Sequence, residues 1–292
     1  MSEQVSYLAY LVGWKIVGLL PEKIAYKIFE LIAQFLYSRN GRLVNRLRSN
    51  LSIVKPELSA VELEELVRRG LSSYMRYWCD TFRIHKWSAE RIHKTVTTSH
   101  DELLWTPMRE GRGVVIALPH SGNWDHAGAY FCQSGISLVT VAEVLKPEKL
   151  FRKFLTYRES MGFEVLPLDS RAFVTLLKRA REGRLIALVA DRDLSASGIE
   201  VSFFGRRAKM PAGPATIAVR EGLPLVVAHV SYRESGIHVD FKEIAVAADG
   251  NEASRVQTTV QSIATAFESG IASHPEDWHM LQRIWIDEGI YR

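Results

Sequence analysis

The chain has little cysteine: Cys79 and Cys132 are the only two among 292 residues. Their spacing fits neither a disulfide framework nor a zinc site, so we expect both to be reduced residues of the core. The amino terminus, Met-Ser-Glu-Gln, lacks the basic region and the small-residue cleavage site of a secretory signal peptide. These absences favour a protein that faces the cytosol.

Several widespread catalytic motifs are absent as well. The sequence has no Gly-x-Ser-x-Gly elbow, no Walker A loop and no His-Glu-x-x-His motif, and Gly111-Arg112-Gly113 lacks the third glycine of a dinucleotide-binding loop. Hydrolase, NTPase and zincin functions therefore lose their main support. The formal net charge of +4, from 37 basic and 33 acidic residues, is too small to indicate a nucleic-acid partner, although it suits an anionic membrane surface.

No apolar run at the amino terminus is long enough to cross a bilayer. Residues 7–20 are apolar on nearly every helical face, with Lys15 the only charge, but at ~1.5 Å per residue they cover about 21 Å of a hydrocarbon core ~30 Å thick. A second, amphipathic pattern covers residues 24–37. We predict a membrane-associating helical hairpin within residues 1–38 that lies in one leaflet; packing on the protein's own core, or an oligomer contact, is the alternative. The basic segment 39–55 is expected either to contact lipid head groups or to be a solvated connection.

Residues 39–292 are predicted to form one α/β domain, because buried strands and helices alternate from residue 113 onward. Before that point, Ser59 and Glu62 indicate a capping box at the start of a long core helix. The expected fold is a central, mainly parallel sheet flanked by helices. The predicted strands cover residues 114–118, 138–144, 163–168, 185–190, 224–232 and 237–244, the last two as a hairpin, and the predicted helices start near residue 124, at Pro147 and after an N-cap at Ser170, with two more at 212–221 and 253–272.

The sequence Val-Val-Ile-Ala-Leu-Pro-His-Ser-Gly-Asn-Trp-Asp, residues 114–125, combines a buried strand, a tight turn and a helix N-terminus. It places His120 at the carboxyl end of a strand, where open α/β sheets bind their ligands. Asp125 follows five positions later, and from the first helical turn its carboxylate can reach back to the imidazole. Such a pair suits removal of a proton from a hydroxyl group. The alternative is a turn histidine next to a carboxylate that the helix dipole favours.

Asp191 has the same kind of position as His120, since it follows the predicted strand 185–190. A second carboxylate there could share the orientation of His120, directly or through water, or contact hydroxyl groups of an acceptor. A structural ion pair with Arg192 is the alternative. We expect Glu143, Lys146, Arg192 and Ser197 on the rim of the same cleft as substrate-binding residues, or else as simple loop structure.

The motif around His120 resembles the signature of the bacterial lysophospholipid acyltransferase superfamily. Within it, the sequence is most similar to the lipid A lauroyl/myristoyl acyltransferase family and to its actinobacterial branch, the phosphatidylinositol mannoside acyltransferases. The similar blocks follow the family order from about residue 70 onward, and they are residues 140–143, 145–148, 157–168, 191–194, 203–205, 210–215 and 275–282.

This resemblance implies a glycerol-phosphate-acyltransferase-like fold and transfer of a long acyl chain, such as palmitoyl, from acyl-CoA to a mannose hydroxyl of phosphatidylinositol mannoside. It implies that His120 is the general base, that turn amides or a nearby cation hold the oxyanion, and that Arg158 binds an anionic part of a substrate. Acyl-CoA is then a co-substrate, no metal or redox cofactor is required, and the protein is peripheral to the cytoplasmic face of the membrane. A lipid A precursor as acceptor, and a non-catalytic lipid carrier, are the two alternatives.

Overall fold

A computed structural model describes residues 13–143 and 148–287. Its strands are β1 (Val96–Ser99), β2 (Val114–Leu118), β3 (Leu138–Ala142), β4 (Glu164–Pro167), β5 (Leu185–Val189), β6 (Ile199–Phe203), β7 (Arg206–Met210), β8 (Leu225–Arg233) and β9 (Gly236–Ile244). Seven of them form one sheet in the order β1-β9-β8-β2-β5-β3-β4, while β6 and β7 form a separate antiparallel hairpin. All neighbours in the large sheet are parallel except β8 and β9. The predicted parallel sheet and its single hairpin are confirmed.

The helices cover both faces of this sheet and form a further layer beside it. They are α1 (residues 13–19), α2 (Glu22–Arg39), α3 (Arg42–Val54), α4 (Ala60–Arg83), α5 (Ala89–Lys94), α6 (Glu102–Arg109), α7 (Trp124–Gln133), α8 (Glu148–Glu159), α9 (Ala172–Arg181), α10 (Gly213–Glu221) and α11 (Glu252–Ser273). Short 3-10 turns follow α4 and α11, at Ile84–Lys86 and Pro275–Asp277.

Strand β2 lies at the centre of the sheet and is buried at all five positions. Its side chains alternate between two apolar clusters. Val115 and Ala117 join the cluster of α9, α10 and α11, while Val114, Ile116 and Leu118 join that of α6, α7 and α8. A strand covered on both faces needs apolar residues throughout, which is why the sequence Val-Val-Ile-Ala-Leu has no polar alternation. The carboxyl end of β2 is therefore a rigid platform for the residues that follow it.

The amino-terminal helices pack on the protein and also present an apolar outer face. Helix α2 buries Ala25, Phe29 and Ala33 against α4. Its opposite face is exposed, together with parts of α1 and α3, at Ile16, Leu19, Ile24, Ile28, Leu31, Ile32, Phe35 and Leu43. We call these eight residues the outer apolar face. Among the described residues no helix combines the length and hydropathy that a membrane span requires; residues 7–12 of the predicted first helix lie outside the described part.

Several local predictions need correction. Ser170 does not cap α9; the carboxylate of Asp169 accepts hydrogen bonds from the backbone N–H groups of Arg171 and Ala172 instead. The basic segment 39–55 is mostly helix α3, because its apolar residues bury one face against α4. The predicted capping box is confirmed, since Ser59 and Glu62 exchange hydrogen bonds at the start of α4. Strand β1 and the β6–β7 hairpin were not predicted.

Candidate active site

His120 and Asp191 meet because their strands are neighbours. In the register of β2 and β5, Leu118 pairs with Val189, and each functional residue lies two positions beyond its partner of that pair. The backbone N–H of Ala190 donates to the carbonyl of Leu118 at 2.9 Å, which keeps the two chains together past the strand ends. The sheet therefore delivers an imidazole and a carboxylate to one point at its carboxyl edge.

The carboxylate of Asp191 is fully buried and accepts three hydrogen bonds. Its Oδ1 is 2.6 Å from Nδ1 of His120, and its Oδ2 accepts from the backbone N–H of His120 at 3.0 Å. Oδ2 also accepts from the indole N–H of Trp278 at 2.9 Å. The contact between Asp191 and the imidazole is direct, and the predicted alternative of a structural pair with Arg192 is wrong.

These contacts fix the protonation of the pair. Burial alone would raise the pKa of Asp191, but the imidazole of His120 and the hydrogen bonds from His120 and Trp278 hold it below its usual value. An ionised Asp191 can only accept, so Nδ1 of His120 carries the proton. The lone pair of a neutral imidazole is then on Nε2. Because 39% of the His120 side chain is exposed, this nitrogen is available to a hydroxyl group that enters the cleft.

The turn that carries His120 is held by the segment after α11. The backbone N–H of Gly122 donates to the carbonyl of Asp277 at 2.9 Å, and the N–H of His279 donates to the carbonyl of His120 at 2.8 Å. Gly122 has φ = +57°, and a Cβ atom there would lie 2.5 Å from the carbonyl oxygen of Val230, so only glycine fits. The segment 277–279 thus fixes the turn from one side, and strand β8 fixes it from the other.

The backbone amides of this turn are already engaged. The N–H of His120 is bound to Asp191, that of Ser121 to the carbonyl of Pro119, and that of Gly122 to Asp277. The expectation that turn amides after His120 hold the oxyanion is therefore wrong for Ser121 and Gly122. The positive end of α7 lies immediately beyond them, with Asn123 as its N-cap.

Asp125 does not orient His120, contrary to the geometric expectation from the sequence. Its buried carboxylate binds the guanidinium of Arg158 on α8, with Nε 2.9 Å from Oδ1 and Nη2 3.5 Å from Oδ2. Burial lowers the pKa of Arg158, but the charge and hydrogen bond of Asp125, together with the neighbouring Tyr77 and Tyr157, outweigh burial and raise it. In the first turn of α7 the carboxylate faces α8 and not the end of β2, so the pair joins two helices beneath the site. Arg158 is likewise partly committed to Asp125 and not fully open to a substrate.

A buried polar network supports the turn from the side of α4. Asp80 is 2% exposed, and its oxygens accept from the hydroxyl groups of Tyr26 and Tyr232 and from the amide of Asn123. Asn123 in turn accepts the backbone N–H of His126 at 3.0 Å and so caps α7. Burial raises the pKa of Asp80, and the three hydrogen bonds oppose that rise. Through Asp80, helix α2 is connected to the residues that follow His120.

The remaining predicted residues are less closely tied to the dyad. Glu143 is exposed just after β3, at the same carboxyl edge of the sheet. Arg192 follows Asp191 and is half-buried. Ser197 is exposed, and its hydroxyl is 2.9 Å from that of Ser195. Lys146 lies outside the described residues. Substrate contacts of these four side chains stay a prediction.

Two aromatic residues of the site were not singled out from the sequence. Trp278 donates to Asp191, and Trp124 stands edge-on to the imidazole of His120 with ring centroids 5.7 Å apart. Trp124 also stacks on Tyr77 at 4.5 Å, which fixes its position. Both tryptophans belong to the blocks that carry the family resemblance, and a tryptophan within such a block is the signal that could have identified them.

Comparison with known proteins decides the family. The model of the bacterial lipid A biosynthesis acyltransferases matches residues 2–286. The chain belongs to this family. It is 40% identical over 289 residues to a phosphatidylinositol mannoside acyltransferase of Mycolicibacterium smegmatis, which covers 98% of this chain and 93% of the relative. Relatives of the same name from two strains of Mycobacterium tuberculosis are 38% identical over 285 residues and cover 95% of this chain and 88% of their own.

The family membership confirms the resemblance drawn from the sequence, and it identifies the chain as an acyltransferase. A base with one open nitrogen, held by a buried carboxylate, is an arrangement that can deprotonate a hydroxyl for attack on an acyl group. Across residues 13–143 and 148–287, no group of three or more His, Cys, Asp or Glu side chains is placed to hold a metal ion.

Proposed function

We propose that this protein transfers a long-chain acyl group, such as palmitoyl, from acyl-CoA to a mannose hydroxyl of phosphatidylinositol mannoside. The single observation that carries the chemistry is the His120–Asp191 dyad, in which Nδ1 is bound and Nε2 is open. The choice of acceptor is supported by relatives named phosphatidylinositol mannoside acyltransferase, which align with nearly the whole chain.

The reaction needs no covalent acyl-enzyme. Nε2 of His120 accepts the proton of the mannose hydroxyl, and the oxygen attacks the carbonyl carbon of the thioester. The tetrahedral intermediate collapses as the carbon–sulfur bond breaks. The imidazolium of His120 returns its proton to the CoA thiolate, so the products are the ester and free CoA. While His120 is positively charged, the adjacent carboxylate of Asp191 stabilises it.

The oxyanion of the intermediate requires a positive group, a role that contributes about 2.7–4 kcal/mol per donor at comparable sites. The amides of His120, Ser121 and Gly122 are engaged within the protein. We assign the role to the N-terminal end of α7, where the helix dipole is positive and the first-turn amides, apart from the N–H of His126 that Asn123 caps, have no partner within the helix.

The acceptor lipid stays in the membrane, so the enzyme must reach it there. The outer apolar face exposes eight large apolar side chains on adjacent helices, with Phe35 62% and Leu19 69% exposed. Contiguous apolar surface of this kind marks a membrane or protein contact. We propose that this face enters the cytoplasmic leaflet of the plasma membrane as a peripheral anchor.

The function is tested by product analysis. The purified protein is incubated with palmitoyl-CoA and either phosphatidylinositol mannosides or a lipid A precursor, and products are identified by mass spectrometry while CoA thiol release is followed. We expect an acylated phosphatidylinositol mannoside together with stoichiometric thiol release. The same acylation of the lipid A precursor alone would reassign the acceptor, and the absence of acceptor-dependent thiol release would support a non-catalytic carrier.

Membrane docking is tested with two substitutions on the outer apolar face. Deleting residues 1–38 would uncover α4, because Ala25, Phe29 and Ala33 are buried against it. The better variant is Leu31→Ser with Phe35→Ser. The matched control is Val61→Ser with Val174→Ser, because these two valines are 79% and 69% exposed and lie outside the outer apolar face. We expect liposome affinity to fall at least about tenfold for the first pair only, since each side chain contributes about 1.5–3 kcal/mol on burial. If the two double variants float with liposomes equally well, the proposal that the outer apolar face docks on the membrane is contradicted.

A further inference from the structure

A cavity of about 660 Å³ lies between α1, α8 and the 3-10 turn after α4. Its apolar wall includes Trp14, Leu19 and Tyr157, and three lysines stand around it: Lys15, Lys86 and Lys153. No Asp or Glu side chain lines the described part of this cavity. An apolar interior whose charged border residues are all cations is complementary to an amphiphile with an anionic head.

The three lysines come from separate elements and are all exposed. Lys86 is fixed, because its Nζ donates to the carbonyl of Gly18 at 2.7 Å. Lys15 and Lys153 form no ion pair within the described residues. Partial burial and the positive charges of Lys86 and Lys153 lower the pKa of His85, which also lines the cavity. The positive charge here is therefore concentrated, and no carboxylate among the described residues of the cavity neutralises it.

The inner end of the cavity is formed by Tyr157, which precedes Arg158 on α8, and Arg158 binds Asp125 of the helix that follows His120. Tyr157 is buried, and its hydroxyl has no hydrogen-bond partner among the described residues. Burial and the nearby carboxylate of Asp125 raise the pKa of this hydroxyl well above its usual value, so it stays a neutral donor. Trp14 packs against the Tyr157 ring with centroids 5.2 Å apart. The outer end is formed by α1, whose Ile16 and Leu19 belong to the outer apolar face.

We propose that this cavity binds the phosphodiester and the adjoining acyl chain of the acceptor lipid, with Lys15, Lys86 and Lys153 around the phosphate. The inference rests on the proposed function and adds the position of the acceptor's lipid half. Continuity with the outer apolar face favours a lipid that resides in the membrane over acyl-CoA, whose head group is soluble. The acceptor would then extend from the leaflet past Tyr157, with its sugars directed toward His120.

The test is direct binding of dihexanoyl-phosphatidylinositol, measured by calorimetry in the full-length protein carrying His120→Ala, so that it does not depend on turnover. The variant is Lys15→Gln with Lys153→Gln, and the matched control is Lys94→Gln with Lys178→Gln, two exposed lysines outside the cavity. We expect the Kd to rise about tenfold or more for the first pair only, because two positive charges near an anionic lipid head group are removed. Dihexanoylglycerol, which has no phosphate, should bind all proteins alike.

Kinetics on otherwise unaltered protein separate the acceptor from the donor. The Lys15/Lys153 pair should raise KM for phosphatidylinositol mannoside and leave kcat and the KM for palmitoyl-CoA unchanged. Unchanged Kd for dihexanoyl-phosphatidylinositol, or a raised KM for palmitoyl-CoA instead, would overturn the proposal. If the binding result holds while phosphatidylinositol mannoside is not acylated, the cavity remains a phospholipid site and only the proposed function fails.

Discussion

The carboxylate of Asp191 binds His120 twice, once at the imidazole Nδ1 and once at the backbone N–H. One side chain therefore fixes both the tautomer of the ring and the conformation of the turn beneath it. The indole of Trp278 holds the same carboxylate from a third direction. A change at Asp191 is expected to disturb chemistry and geometry together.

Asp191→Asn should lower kcat by about 10²- to 10⁴-fold, the range that a general base contributes. An amide cannot stabilise the imidazolium, and it can favour the wrong tautomer of His120 by donating to Nδ1. Acyl transfer at saturating substrate is the measurement, with the exposed Asp249→Asn as control. Turnover close to that of the control would exclude Asp191 from the dyad.

The buried pair of Asp125 and Arg158 is expected to act on stability first. Asp125→Asn or Arg158→Gln should each lower the free energy of unfolding by about 3–5 kcal/mol, since one buried partner loses its counter-charge. The double variant should cost less than the sum, as for residues in direct contact. Denaturant titration measures all three.

Kinetics of the same variants test whether Asp125 has a second role. Because Asp125 does not contact the imidazole, its loss should affect turnover no more than the loss of Arg158. If Arg158→Gln keeps the wild-type rate while Asp125→Asn abolishes it, then Asp125 reaches His120 during catalysis.

Trp278→Phe removes the indole donor to Asp191 while an aromatic ring is kept. A hydrogen bond to a charged group contributes about 1.5–3 kcal/mol, so we expect kcat to fall about 10- to 100-fold with KM little changed. Trp285→Phe is the matched control, because Trp285 packs on the same ring of Phe203, at 5.5 Å, and does not bind Asp191. Equal kinetic losses in both variants would indicate a packing effect only.

Acid should destabilise the protein through its buried histidines. Burial lowers the pKa of His229 to about 4 and that of His279 to about 3. Each histidine is neutral in the folded protein but takes up a proton on unfolding once the pH falls below about 6.5. Their stabilisation is therefore complete above that value and is lost as the pH falls toward 3 to 4. For each histidine, the free energy of unfolding then falls by up to about 1.4 kcal/mol for each pH unit.

His229 offers a clean test of this acid dependence, because neither ring nitrogen has a hydrogen-bond partner among the described residues. His229→Leu should flatten the fall in melting temperature between neutral pH and pH of about 4 without leaving a polar group unpaired. The exposed His93→Gln should not change that slope. A slope that is the same in all three proteins would show that His229 is protonated in the folded state.

The sequence predicted the sheet well because its strands are nearly continuous apolar runs separated by turn residues. It also placed His120 and Asp191 at strand ends. It could not show that β2 and β5 are neighbours, because strand order is a tertiary property, and so direct contact between the two residues stayed open. The same limit applies to Asp125. A spacing of five residues permits contact with His120, but Asp125 binds Arg158 instead because α8 lies close enough for this long side chain to reach it.

The amphipathic pattern of residues 24–37 had two opposite interpretations, and the structure supports packing on the protein for one face of α2 while the other face is exposed. Ala25, Phe29 and Ala33 pack on α4 while Phe35 is exposed. Hydropathy alone does not distinguish an apolar face that meets the core from one that meets lipid. Strand β1 was not predicted because Val96-Thr97-Thr98-Ser99 is short and polar. These residues form a strand because they pair with β9.

The turn that carries His120 depends on residues 277–279, which lie far along the chain. While the protein is being synthesised, a nascent chain that has not yet released this segment from the ribosome has no acceptor for the N–H of Gly122, no donor to the carbonyl of His120 and no indole on Asp191. Strand β2 and helix α7 are made early, yet the site they carry is assembled late. The turn around His120 is therefore completed only after residues 277–279 have been synthesised and have left the ribosome.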